Sequence, residues 1–221
     1  MPPTLDAVIV AAGQSRRMVQ DKMTLRIAGR TVLEWSFAAC TAVPSVRRIV
    51  IVCAAGREEE FHTLLTPVDT SKKLHAIVSG GAERSDSVAA GIAAIDTTDF
   101  IAIHDAARPF VRPEAFEKCF ARAVEVGAAA LAERVVDTLH RTNENQHVVE
   151  TVSRANLWRV QTPQIARRDW LIQLHSHATD EVGALVQLDY PAEMVENHFP
   201  NPKITTPADL PLAETIAKSL M

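Results

Sequence analysis

Five short runs constrain this chain most: Ala7-Val-Ile-Val-Ala11, Arg48-Ile-Val-Ile-Val-Cys53, His75-Ala-Ile-Val78, Phe100-Ile-Ala-Ile103 and Gly127-Ala-Ala-Ala-Leu131. They are continuously apolar rather than alternating, which is the pattern of strands covered on both faces. Between them, residues 31–40, 57–65, 85–95 and 113–126 carry apolar side chains at helical spacing, and the last stretch begins with Pro113 and Glu114, both suited to a helix's first turn. Strand and helix alternate in this way through about the first 130 residues, which predicts an α/β fold on a mostly parallel central sheet. A chain of 221 residues, 47% apolar and 23% charged, has enough material for one sizeable core, so residues 1–221 are expected to form a single domain.

The pattern changes after residue 132. Residues 135–141 and 147–152 alternate in part and are joined by Thr142-Asn-Glu-Asn-Gln146, which predicts a β-hairpin arm over about 133–154 that projects from the body. An isolated hairpin is marginally stable in water, so the expected partner is a second copy of the chain. A helix over about 167–177, a short strand near 192–195 and a final helix from about Pro207 complete the expected elements.

Charge narrows the function classes. Lys and Arg number 23 against 27 Asp and Glu, a formal charge of −4, so no global positive field is available for nucleic acid or an anionic membrane. The amino-terminal residues lack the basic region of a secretory leader and no stretch approaches about 18 apolar residues; the expected compartment is the cytoplasm. Cys40, Cys53 and Cys119 follow no metal-ligand pattern and read as reduced core thiols. The eight histidines do not cluster at ligand offsets, apart from His175 and His177, which an i,i+2 spacing would turn to different sides of a helix. There is no sequence signature of a covalent nucleophile.

Four segments carry candidate chemistry. After the first strand, Ala11-Ala-Gly-Gln-Ser-Arg-Arg17, followed by Lys22, supplies small residues and free N–H groups for an anion, together with local cations; it lacks the dinucleotide and Walker fingerprints, and is also the pattern of an ordinary solvated loop. The fourth strand runs into His104-Asp105-Ala-Ala-Arg108, where Asp105 is the best oxygen ligand for Mg²⁺ and Arg108 offers a fork for phosphate, or else caps and pairs structurally. A second glycine turn, Ser79-Gly80-Gly81, opens a helix that Ser85 is placed to cap. Near the carboxyl end, Lys203 stands just before a Thr-Pro helix start, a position where a lone lysine is ordinarily solvated.

Taken together and in order, AAGQSRRM, GGAERSDSV, HDAARPFVRPE, DTLHRT, TVSRANLWRVQTPQ and NPKITTPADL resemble the motifs of the 2-C-methyl-D-erythritol 4-phosphate cytidylyltransferase family over about residues 5–217. The resemblance implies a Rossmann-like nucleotidyltransferase domain with a dimerising β-arm. It also implies Mg²⁺-dependent transfer of a cytidylyl group from CTP to a sugar-alcohol phosphate in non-mevalonate isoprenoid biosynthesis. Matching residues imply that Ala11, Ala12 and Gly13 lie under the CTP phosphates, that Arg17 and Lys22 contact those phosphates, and that Gly81 and Ser87 lie at the cytosine. Asp105 would bind the metal; Arg108, Thr162 and Lys203 would line a shared phosphate region; Thr138 and Arg154 on the arm would hold the sugar phosphate across a homodimer. Together, Arg17, Lys22, Arg108, Arg154 and Lys203 would make a cationic site around one carboxylate-bound metal. The chain departs from the family pattern at Ser15, where a glycine is usual, and at Asp21, where a proline is usual; the loop is also two residues shorter. Val182-Gly183, Asn197 and Pro202 are further departures, expected to lower activity or alter the accepted sugar. The alternatives are a relative acting on another polyol phosphate, such as ribitol 5-phosphate, or an impaired CTP-binding protein.

Overall fold

The computed structural model describes residues 1–13, 18, 21–174 and 180–221. From the amino end, β1 (Leu5–Val10) leads through β2 (Arg26–Ile27) and β3 (Arg30–Thr31) to α1 (Val32–Thr41), β4 (Val46–Cys53), α2 (Glu58–Leu65), β5 (Leu74–Ser79), α3 (Arg84–Ala93) and β6 (Phe100–Asp105). Then come α4 (Pro113–Val126), β7 (Ala128–Arg134), β8 (Leu139–Thr142), β9 (Val148–Val152), β10 (Trp158–Arg167), α5 (Arg168–Leu171), α6 (Glu181–Gln187), β11 (Glu193–Glu196) and α7 (Leu210–Ser219). All five apolar runs of the sequence are strands of one seven-stranded sheet, ordered β11-β7-β10-β6-β1-β4-β5. Its strands pair in parallel except β10, which runs antiparallel to both β6 and β7.

The continuous apolarity of β1 has its cause in two cores. Leu5, Ala7 and Ile9 face one cluster with α1, α2, α4 and α7, while Val8 faces the other with α3 and Leu171 of α5. Each face excludes water, so no polar alternation is tolerated. Gly91 of α3 shows how closely the layers approach: a Cβ there would lie 2.3 Å from Val8 Cγ1, inside any van der Waals contact. The three cysteines are buried and unbridged within these layers.

Local chemistry sets most helix starts. Thr31 caps α1 through a reciprocal box with Glu34, and Pro113 occupies the first turn of α4, as its fixed φ favours. Ser85 does not cap α3. Glu83 is the cap, exchanging hydrogen bonds with Asp86, and Ser85 lies inside the helix. The helix expected over 167–177 is instead the carboxyl end of β10 followed by the four-residue α5; residues 175–179 lie outside the described residues. The final helix, expected from Pro207, begins with a 3₁₀ turn, Pro207–Asp209, before α7.

β10 has no counterpart among the expected strands. Pro163 and the polar Gln161, Thr162 and Gln164 argue against a central strand. The pairing with β7 is broken between Val160 and Gln164, so Pro163 sits in an irregularity where no ladder hydrogen bond is required of it.

The hairpin forms as expected, with a shorter first strand. β8 and β9 pair antiparallel in a two-stranded sheet of their own, and Val135 bonds back to Leu157 instead of extending β8. Asn143 Oδ1 accepts from the backbone of Asn145 and His147 at 3.0 Å each, closing the turn. Among the described residues, no helix is long and apolar enough to cross a membrane.

Candidate active site

The strand order places β1 at the point where the chain changes direction across the sheet: β4 and β5 lie to one side, and β6 returns on the other. Ligands of open α/β sheets bind outside the carboxyl ends of the strands at such a switch point. Val10 is in register with Asp105, and a cleft of about 300 Å³ opens there, lined by Ala11, Ala12, Gly13, Lys22, Gly81, Arg84, Ser87, Asp105 and Lys203 among others.

The two glycine loops stay attached to the sheet. Ala11 N–H donates to Val52 O and Gly80 N–H to Cys53 O, both at 2.7 Å. They also touch each other: a Cβ at Gly80 would lie 2.5 Å from Ser87 Oγ and 2.7 Å from Ala12 Cβ. Glycine at position 80 is thus a packing requirement of this close approach to Ala12 and Ser87.

Asp105 is the electrostatic centre. It is 7% exposed; Lys203 Nζ donates to its Oδ2 at 2.6 Å and Arg84 Nε to its Oδ1 at 3.2 Å. Burial opposes the carboxylate charge, but Arg84 and Lys203 outweigh it, and the pKa falls well below the ordinary aspartate range. Arg84 is itself gripped by Glu181 in a two-bond fork of 2.6 and 3.1 Å. Burial works against the Arg84 cation, yet the two carboxylates raise its pKa overall. Gln164 of β10 orients the start of α6, its Oε1 accepting from Val182 N–H at 2.9 Å, and so places Glu181.

Beneath Asp105 lies a neutral relay. His104 is fully buried, and desolvation holds its pKa down to about 4. The Arg108 carbonyl, 3.0 Å from Nε2, can only accept, so Nε2 carries the proton and Nδ1 accepts from the Thr162 hydroxyl at 3.1 Å. The same Thr162 oxygen accepts the Asp105 N–H at 3.0 Å. Thr162 is 4% exposed and its hydroxyl is fully engaged; it underpins Asp105 and does not line the cleft.

Arg108 is also outside the cleft lining. Its Nη1 donates to Asn201 O at 2.7 Å, and burial lowers its pKa. It fastens the segment that carries Lys203. The same segment is held by buried amides: Gln161 Oε1 accepts from Asn197 Nδ2 at 2.9 Å and from Asn201 Nδ2 at 3.0 Å, while Asn201 also donates to Thr162 O at 3.1 Å. Asn197, one of the departures from the family pattern, is therefore part of the mount for Lys203.

The expected convergence of cations is only partly present. Lys22 and Lys203 reach the cleft together with Arg84, which the sequence reading did not single out. Arg154 does not: it lies beside the exposed hairpin and donates to Val136 O. Thr138 is likewise on the exposed hairpin, and Arg17 lies outside the described residues. Arg84, Glu181 and Gln161 were not singled out from sequence, and Asn197 was noted only as a departure, because their partners are 21 to 97 positions away, beyond any local spacing rule.

The donor set suits a hard divalent cation bound with phosphates. Two of about four acceptor positions on the Asp105 carboxylate are taken by Lys203 and Arg84, which leaves others for a metal ion. Mg²⁺ is commonly held by one or two carboxylates, with phosphates and water completing the shell. Among the described residues no group of three or more His, Cys, Asp or Glu side chains gathers to hold a metal by protein ligands alone.

The model of the 2-C-methyl-D-erythritol 4-phosphate cytidylyltransferase family matches residues 5–219. Proteins of that name from Bacillus velezensis and Pelotomaculum thermopropionicum are 38% and 37% identical to this chain; each alignment covers 96% of it, and 95% and 94% of the respective relative. The crystal structure of the Thermus thermophilus protein of the same name superposes with a TM-score of 0.77 at 30% identity, covering 97% of this chain and 99% of that one. A synthase structure from Anaerococcus prevotii, at 24% identity and a TM-score of 0.85, shares the fold over 98% of this chain and 96% of its own.

Proposed function

The chain belongs to the 2-C-methyl-D-erythritol 4-phosphate cytidylyltransferase family, and from that premise we infer that it is a nucleotidyltransferase joining CTP to 2-C-methyl-D-erythritol 4-phosphate, a step of isoprenoid biosynthesis. A phosphate oxygen of the sugar phosphate attacks the α-phosphorus of CTP. The bond from that phosphorus to the oxygen bridging the β-phosphate breaks, and pyrophosphate leaves with its electron pair. The observation that carries the reading is the family match over residues 5–219, coinciding with a switch-point cleft where Lys22, Lys203 and Asp105 meet.

The nucleophile is already an anion, so no strong general base is required; the barrier is the repulsion of two phosphates and the charge developing on pyrophosphate. In our reading the backbone of Ala11, Ala12 and Gly13 cradles the CTP phosphates, Gly81 and Ser87 border the cytosine, and Lys22, Lys203 and Arg17 neutralise phosphate charge. Asp105 would hold Mg²⁺, which when bound supplies charge neutralisation on the phosphate oxygens. Arg108 adds positive potential from behind the Lys203 segment, and Thr162 acts through the position of Asp105. Thr138 and Arg154 hold the sugar phosphate from the arm of a partner subunit in a homodimer. The whole chain then works as a single nucleotidyltransferase domain with an arm at about 133–154. Cytoplasmic residence is part of the same proposal.

The purified chain given CTP, Mg²⁺ and methylerythritol phosphate is expected to release pyrophosphate and form the cytidine diphosphate product. Turnover with ribitol 5-phosphate alone would replace the substrate, and calorimetric CTP binding without turnover of either would replace the enzyme by a nucleotide-binding protein.

A further inference from the structure

The two loops that wall the cleft are each tied to one short stretch that lines no part of it: Arg57 and Glu58, at the start of α2. The first tie runs through Arg57. Its Nε and Nη2 donate to both oxygens of Glu60, at 2.7 and 2.8 Å, and its guanidinium lies 4.7 Å over the ring of the fully buried Phe61. The fork is therefore pre-set by its own helix, and its remaining arm, Nη1, donates to Asp21 Oδ2 at 2.5 Å. The other Asp21 oxygen accepts Met23 N–H at 3.2 Å; Met23 is 1% exposed, and its carbonyl accepts Leu33 N–H at 3.1 Å. Lys22 thus stands between a residue clamped by Arg57 and a residue sunk in the core.

The second tie runs through Glu58, whose carboxylate accepts the hydroxyl of Ser79, the residue leading into Gly80 and Gly81. One turn of chain consequently holds both walls, one bearing the phosphate-directed ammonium and the other the small-residue floor. Arg57 has an electrostatic task as well. A carboxylate beside Lys22 would repel a triphosphate, and pairing with Arg57 offsets that charge.

We propose that Arg57 and Glu58 form a brace that sets the spacing of the two cleft walls, Arg57 being a positioning residue for Lys22 and Glu58 for the Ser79–Gly81 loop. The proposal rests on the reading of Lys22 as a phosphate-binding group.

The test pairs kinetics with hydrogen exchange on the full chain. Arg57→Gln is expected to lower kcat about 10- to 100-fold, the size of effect that a displacement of about 1 Å produces, with a much smaller change in KM for CTP. Arg57→Lys, which keeps a cation opposite Asp21, is expected to recover part of that loss. Asp21→Asn combined with Arg57→Gln is expected to be no worse than Arg57→Gln alone, because the two residues act through each other. Glu58→Ala is expected instead to raise KM for CTP, about three- to tenfold. In the nucleotide-free protein, Arg57→Gln should speed amide exchange at residues 22–25 and leave 80–82 unchanged, and Glu58→Ala should do the reverse. Unchanged exchange in both loops, additive losses in the double variant, or faster exchange with normal kcat each overturn the brace. Absence of cytidylyl transfer in the parent chain would instead sink the functional reading, while the exchange pattern still judges the brace.

Discussion

In the cleft, Asp105 and Glu181 are 7% and 5% exposed, and Arg84 joins them across 21 and 97 positions of sequence. In the hairpin, the pair Arg141–Glu150 is 66% and 53% exposed, and Val136, Val148 and Val149 stand 58–70% exposed. The two regions use the same residue types to opposite effect. The Arg84–Asp105–Glu181 cluster is finished within a single chain: its charges partner one another, are largely buried, and are held by β10 and α6. The hairpin is not. Its strands pair only with each other, it displays apolar side chains to solvent, and such a ribbon alone is marginally stable. A surface of that kind calls for another surface, which is the physical argument for assigning Thr138 and Arg154 to a neighbouring subunit's cleft.

The sharpest break in this comparison comes from Lys203→Ala. Loss of a cation aimed into a preorganised site is expected to reduce kcat by about 10²- to 10³-fold in a pyrophosphate-release assay. A hairpin substitution that leaves the proposed dimer intact should leave calorimetric CTP binding unchanged. Mixing Arg154→Ala chains with Lys22→Ala chains comes next: after subunit exchange, half of the dimers hold one intact site, so recovery to about a quarter of parental activity is expected if the arm serves across the dimer. No recovery after confirmed exchange would confine the arm to its own chain.

The proposed homodimer should dissociate into monomers in sedimentation on Val148→Asp with Val149→Asp, with little shift in the melting temperature of the body. At the next level, Asn197→Ala should cost about 1 kcal/mol in denaturant unfolding, because it removes one of the two donors to Gln161 Oε1 and the acceptor of Phe199 N–H. Arg141→Ala in the hairpin should cost under about 0.5 kcal/mol, as an exposed pair does.

The smallest effect expected is on acid stability. Burial raises the Asp209 pKa, but hydrogen bonds from the backbone and hydroxyls of Thr205 and Thr206 outweigh it, and the folded pKa lies below the ordinary value. Its contribution is therefore present above about pH 3.9 and lost as the pH falls through the folded value. Asp209→Asn should be less stable at neutral pH and show a shallower acid limb in melting temperature against pH.

Much of the fold could be read in advance because its cause is local. Water exclusion on both faces writes an unbroken apolar run into each of β1, β4 and β6, and the α4 boundaries follow from Pro113 at one end and Gly127 at the other. β10 escaped because Gln161, Thr162 and Gln164 are polar and satisfied mainly by partners on other elements. The same reason hid Arg84 and Glu181. Ser85 was misplaced as a cap because Glu83 and Asp86 satisfy each other in its stead.

By itself, then, the order of residues determined the parallel sheet, the strand ends within a residue of Ala11 and at Asp105, the small-residue loops and the hairpin, since periodicity and turn chemistry act over a few neighbours. Only the folded arrangement decided that Lys22, Arg84 and Lys203 meet, that Thr162 faces inward to His104 and Asp105, and that Asn197 secures the Lys203 segment. Those contacts join residues distant in the chain, and burial made each pairing obligatory where water would otherwise have satisfied both partners.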